Sequence, residues 1–212
     1  MSKKRVYHLK RRAERKAETR LRIAEATVAL HREIGPAATT ISAIAERAGV
    51  ERLTVYRHFP DESELFQACQ HVFRTAHPRP EISTWASIPE PEERLRRALR
   101  DTYAYYRETE AMTANVRRDA PSIPALAAII KDVSLYYAEA RELLVAAFAV
   151  PGERLPLVRA AIGHALDFDT WRSLVRRQGL SDEQAVELML FLTSHLTGLG
   201  YRITPANKIA DD

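Results

Sequence analysis

TISAIAERAGVERLTVYRHF, residues 40–59, holds two short helices and the turn between them. Ile41, Ile44, Ala45 and Ala48 recur at i, i+3, i+4 and i+7, the apolar face of a first helix. Thr40 is a good N-cap for it. Gly49 stands where the chain must turn sharply, since it takes positive φ without a Cβ penalty. A second helix is expected from about Arg52 to His58. Val55 and Phe59 turn inward with Val50, which leaves Arg52, Thr54, Tyr56 and Arg57 largely outward. Two short helices about a glycine turn form a helix-turn-helix, whose second helix can enter a DNA major groove.

Over about residues 16–75, the pattern Thr39-Thr40-Ile41, Ile44-Ala45, Ala48-Gly49-Val50, Val55-Tyr56-Arg57-His58-Phe59 and Leu65 resembles the DNA-binding domain of TetR-family regulators. Many positions at fixed spacing carry the likeness; beyond them it is one of length and helical pattern. The resemblance implies an all-α fold, with an N-terminal three-helix helix-turn-helix DNA-binding domain and a larger C-terminal regulatory and dimerisation domain. By matching positions, Arg52 reads a guanine edge and Leu53 or Thr54 touches a thymine methyl. Tyr56, Arg57 and His58 contact phosphate, as does Thr40 through its hydroxyl or backbone N–H. Tyr56 and His58 have an alternative as packing residues. The chain departs from the family at Glu51, where a small hydroxyl residue commonly caps the recognition helix, and at Glu62, where a phosphate-touching lysine is common.

Charge points the same way. Residues 1–22 carry ten Lys and Arg against Glu14 and Glu18, a net of +8, so the remaining 190 residues sum to −4 although the whole chain is +4. Cations gathered beside a helix-turn-helix are the footprint of a DNA binder. Residues 1–12 read as a basic arm without fixed structure, with Lys10, Arg11 and Arg12 reaching DNA; the competing reading is a solvated tail. The arm would offset the anchor lost at Glu62.

A 46% hydrophobic, 28% charged composition describes a soluble globular protein. The longest apolar run, 143–150, is too short to span a bilayer, and the basic N-terminus is not followed by a signal-peptide h-region. The expectation is a cytoplasmic protein with no membrane partner. Cys69, the single cysteine, fits a reducing compartment and reads as a small buried residue rather than a redox sensor.

About nine helices are expected and no strand. The first runs from near Ala13 to Ile34, with Leu21, Ala24 and Val28 on its core stripe, and Gly35-Pro36 ends it. A fourth helix completes the domain spanning 13–75. The proline-rich residues 76–90 read as a linker, and 91–212 as the ligand-binding and dimerisation domain. Within that domain, helices are expected over 91–110, 111–118, 124–150 and 154–178. A last one opens at the capping box Ser181-Asp182-Glu183-Gln184. The helices over about 154–200 are apolar on more than one face, as expected of helices that pair with a second copy. A palindromic operator also demands a two-fold protein.

There is no phosphate loop, no G-x-S-x-G and no cysteine cluster, so no enzyme, cofactor or metal is expected. His164 and Asp167 could share a helix face, but lack a third ligand. Tyr103, Tyr106, Tyr137, His164, Phe168 and Trp171 combine apolar bodies with polar tips. Such residues suit either a ligand cavity or an aromatic core. The expectation is a homodimeric regulator, a repressor released from its palindromic operator by a small, largely apolar effector. A DNA-binding regulator with no small-molecule ligand is the alternative. An enzyme working at His164 and Asp167 stands behind both.

Overall fold

The computed structural model describes the backbone of residues 3–197 and the side chains of residues 7–196. Every regular element among them is helical: α1 (Lys3–Glu33), α2 (Ile41–Ala48), α3 (Arg52–His58), α4 (Glu62–Ala76), α5 (Ile82–Ala86), α6 (Pro91–Asp119), α7 (Ala127–Ala147), α8 (Leu155–Ala165), α9 (Phe168–Arg172) and α10 (Asp182–Thr197). Short 3₁₀ turns join α6 to α7, and a π-helical turn over Ser173–Arg177 follows α9.

The chain forms two compact units that are not consecutive in sequence. One takes residues 1–79 and 105–135, the other 80–104 and the chain from 136 on. The expected single boundary at 76–90 misses this, because α6 and α7 each run from one unit into the other. The 76–90 stretch is also not irregular throughout: Ile82–Ala86 forms α5, which buries Trp85.

In the first unit, Ile23, Ala26 and Leu30 of α1 pack with Ile44, Ala45 and Ala48 of α2, Val55 and Phe59 around α3, and Leu65 of α4. Leu21, expected on the core stripe, is half exposed instead. Helix α1 also starts at Lys3, ten residues before the expected Ala13, so 3–12 are helical rather than a structureless arm. Lys, Arg and Glu are good helix formers, and Lys10 lies 4.0 Å from Glu14 one turn on.

The other end of α1 is closed by α6. Asn115 Nδ2 donates to the carbonyls of His31 and Arg32, each at 3.0 Å, and Arg118 reaches the carbonyl of Ile34 at 3.2 Å. These are carbonyls a helix end leaves without intrahelical partners. Gly35, at φ 92°, makes room for that closure, since a Cβ there would collide with the Arg118 guanidinium. Sequence periodicity predicts a break at 110, but α6 runs on without one to Asp119 and so delivers Asn115 and Arg118.

In the second unit, the helix expected over 154–178 is interrupted. Leu166 closes α8, Asp167 is extended (ψ 138°), and its carboxylate accepts from Asp169 N at 2.7 Å to cap a new helix, α9. A mid-pattern Asp competes for backbone hydrogen bonds in this way. The capping box before α10 forms as expected. Ser181 Oγ accepts from Gln184 N at 3.1 Å, and Gln184 Oε1 accepts from Ser181 N at 2.9 Å. Helix α10 buries Ala185, Val186, Met189, Leu190 and Thr193. It leaves Leu188, Phe191 and Leu192 exposed on one face.

Candidate nucleic-acid interface

The turn that aims α3 is built from the two residues the sequence marks for it. Thr40 Oγ1 accepts from Ala43 N at 3.1 Å, and Gly49 is left-handed at φ 63°, ψ 43°. Helix α3 is then anchored by Val55, fully buried, and Phe59, 4% exposed. Its opposite side faces solvent. Arg52, Leu53, Tyr56 and Arg57 are exposed, Leu53 at 62% and Tyr56 at 47%, while Thr54 is half-buried. Neither Arg52 nor Arg57 forms an ion pair or hydrogen bond with a described residue. Glu51 gives α3 no side-chain cap, and Asp61, not Glu62, caps α4 by accepting from Ser63 N at 2.7 Å.

His58 is half-buried and its Nδ1 has no hydrogen-bond partner among the described residues. Burial holds its imidazolium form down, and the nearby charges of Lys16, Arg20 and Arg57 lower its pKa further. Four basic residues from two helices therefore gather at the C-terminal end of α3.

Arg20 fixes that corner. It donates to the backbone carbonyl of His58, sits 4.0 Å over the Phe59 ring and lies 3.5 Å from Glu64. Sequence reasoning counted Arg20 and Lys16 as charge without giving them a place. The available signal was their position one and two turns before Ala24 on the α1 face that becomes buried. The expected trio Lys10, Arg11 and Arg12 is exposed but not brought together. Successive helical residues point about 100° apart. Lys10 turns to Glu14, and Arg11 lies 5.8 Å over the Tyr7 ring.

The six residues considered for an effector divide between the units, Tyr106 with the first and the others with the second. Tyr103, Phe168 and Trp171 are buried, and Tyr137 is half-buried. The Tyr103 hydroxyl donates to the Ala165 carbonyl at 2.9 Å, and the Trp171 indole to Asp182 at 2.9 Å. Burial, with Asp182 nearby, pushes the Tyr103 phenol up. His164, considered for a cavity or an aromatic core, is exposed near the end of α8, with Nδ1 3.0 Å from Thr170 Oγ1. Asp167 is committed to its cap. Among the described residues, no three His, Cys, Asp or Glu side chains group as a metal site would require.

Residues 23–69 match the family described as bacterial regulatory proteins, tetR family. No curated protein sequence matches the chain. Among solved structures, a TetR-like transcriptional regulator from Rhodococcus sp. RHA1 aligns at TM-score 0.60 and 19% identity, covering 82% of this chain and 92% of that one. A TetR transcription regulator from Haloarcula marismortui aligns at 0.54 and 18%, covering 85% and 97%. AibR, in complex with isovaleryl coenzyme A and operator DNA, aligns at 0.58 and 19%, covering 82% and 97%. At these identities the structural likeness is one of fold. The helix-turn-helix segment is thus that of the tetR family of bacterial regulatory proteins, and the fold of the chain is that of solved TetR regulators.

Proposed function

We propose that the chain is a cytoplasmic, homodimeric repressor that binds a palindromic operator through α3 and lets go when a small molecule binds its C-terminal domain. One observation carries the DNA contact: α3 presents Arg52, Leu53, Tyr56 and Arg57 to solvent, and neither arginine has an ion pair or hydrogen bond among the described residues. Arg52 reads a guanine edge, and Leu53 or Thr54 lies against a thymine methyl. Tyr56, Arg57, His58 and the capping Thr40 hold phosphates and so set register.

The dimer reading rests on exposed apolar side chains, Leu157 on α8 and Leu188, Phe191 and Leu192 on α10. A second copy covering them gives the two-fold protein a palindrome needs. For release, an effector need only prefer the spacing of α3 and its mate that does not fit DNA. AibR, a regulator of this fold, binds isovaleryl coenzyme A and operator DNA.

A second reading, a regulator with no small-molecule ligand, is favoured by the internal hydrogen bonds that use the polar tips of Tyr103 and Trp171.

The test is selection of a binding sequence from random duplexes, followed by titration of that duplex over a salt series. A palindromic selected site and a steep salt slope are expected. Arg52→Ala should relax preference at one base and cost about 1–3 kcal/mol, while Arg57→Ala should weaken all duplexes alike. Equal affinity for every duplex would sink the operator reading. Thermal shift against acyl-thioester and aromatic-acid panels then separates the ligand-released from the ligand-free regulator.

A further inference from the structure

We propose that the N-terminal half of α1 is a second DNA-contacting element, a rigid helical rail that lays Arg12 and Lys16 on phosphates flanking the half-site. The inference rests on reading α3 as the recognition helix, and gives the protein a longer footprint than a helix-turn-helix alone.

At about 100° per residue, Arg12, Lys16 and Arg20 fall within an arc of about 80°. That arc continues the stripe on which Ile23, Thr27 and Leu30 are buried. The base of the row is fixed, because Arg20 bonds the His58 carbonyl and covers Phe59. Lys16 is close enough to act on the His58 imidazole. The row is thus continuous with the α3 surface. By the same arithmetic Glu14 and Glu18 each point about 160° away from Lys16, so no described carboxylate of α1 shares the cationic face; Glu64 of α4 meets it only at its base, beside Arg20.

A merely solvated helix has no need of that segregation. Its charges pair one turn apart, as Lys10 does with Glu14 on another face. Arg12 and Lys16 have no ion pair among the described residues. From Tyr7 to Glu18 every residue is exposed, so no described residue buries this segment. A duplex, with one charge per about 1.7 Å of its axis, is the complementary partner. Arg12 stands about 12 Å beyond Arg20 at 1.5 Å per residue. That is the axial length of three to four base pairs at about 3.4 Å each. Among the described side chains, Leu9 occupies the next place outward.

The experiment uses the full chain and a duplex it selects from a random pool, in two lengths: the minimal site, and the site with ten base pairs added at each end. Binding is compared for the wild type, for Arg12→Gln with Lys16→Gln, and for Lys10→Gln with Arg11→Gln. The last pair removes equal charge from other faces. On the long duplex, the Arg12/Lys16 pair should lose at least tenfold in affinity, and its salt slope should fall by about 0.9 for each contact removed. The Lys10/Arg11 pair should lose under threefold. On the minimal site all three should bind within about threefold. Similar losses for both pairs would reduce the rail to general charge attraction and overturn it, as would equal losses on long and short duplexes. If no sequence is selected at all, the reading of α3 fails first, and the comparison on any long duplex still decides whether the face matters. The substituted side chains are exposed, so unchanged melting temperatures are expected for every variant.

Discussion

The helix-turn-helix and the last helix of the chain expose apolar side chains on different terms. On α3, Leu53 and Tyr56 are interleaved with Arg52 and Arg57, so an apolar contact and a cation always lie side by side. On α10, Leu188, Phe191 and Leu192 stand together, with His195 continuing their face, its ring 4.2 Å from that of Phe191. The first surface suits a polyanion with methyl groups in its grooves. The second suits another apolar surface. The helix-turn-helix has its core complete within its own unit, with Val55 inaccessible to solvent, while α10 leaves Leu188, Phe191 and Leu192 exposed among the described residues.

The largest effect should come from breaking the first of these. Val55→Asp places a carboxylate where no partner exists and should cost more than about 4 kcal/mol, unfolding the DNA-binding region. Calorimetry should show its transition lost or merged into a lower one. Phe191→Glu is the matching change on α10. It should leave the monomer folded and weaken self-association by about 3 kcal/mol, over a hundredfold in Kd. Sedimentation equilibrium reads it, and a variant that unfolds instead would mean that α10 is complete as it stands.

A pH experiment separates the two regions by a smaller amount. His31 is buried in the first unit, its ring 5.3 Å from that of Phe66 and its Nδ1 3.6 Å from Cys69 Sγ. Burial lowers its pKa to about 4, against the opposing pull of Asp119, and pushes the Cys69 thiol up to about 12. A histidine lowered in the fold binds its proton more readily when unfolded. Stability is therefore lost as pH falls from 6.5 toward 4. The loss between pH 7 and 5 should be about 2 kcal/mol. His31→Gln should flatten the pH dependence of the melting transition in that window. An unchanged slope would mean the ring takes up its proton as readily in the fold as in the unfolded chain.

Much of this was legible in the sequence, for physical reasons. The α2–α3 turn depends on local chemistry, a threonine that caps and a glycine that turns left-handed, and local chemistry is written residue by residue. The capping box at Ser181 and Gln184 is of the same kind. What periodicity did not disclose were decisions made by tertiary structure. Asp167 lies in a continuous apolar pattern, yet its carboxylate starts a new helix there. Residues 111–118 look separable from 91–110 until Asn115 and Arg118 are needed at the end of α1. The basic N-terminus reads as an arm because charge suggests disorder, while the Lys, Arg and Leu that make up most of residues 3–12 are good helix formers. Lys10, Arg11 and Arg12 were grouped as neighbours in sequence, and a helix is what separates neighbours.

The smallest effect is the most discriminating, because it compares one kind of bond in two places. Thr40 caps α2 through Ala43 N, and Ser181 caps α10 through Gln184 N, each at 3.1 Å. Replacing either hydroxyl residue by Ala should cost about 1 kcal/mol, since each leaves one helix-end N–H without its acceptor. The melting shifts should therefore be alike. DNA affinity should not be. Thr40 sits where α2 meets the phosphates in the proposed complex, so Thr40→Ala should lose a contact as well as a cap, while Ser181→Ala should bind the operator as the wild type does. Thr40→Ser, which keeps the hydroxyl, should restore both stability and affinity. If Thr40→Ala lowers the melting temperature but leaves affinity and salt slope unchanged, the threonine acts on α2 alone, and register on DNA is set by Tyr56, Arg57 and the row along α1.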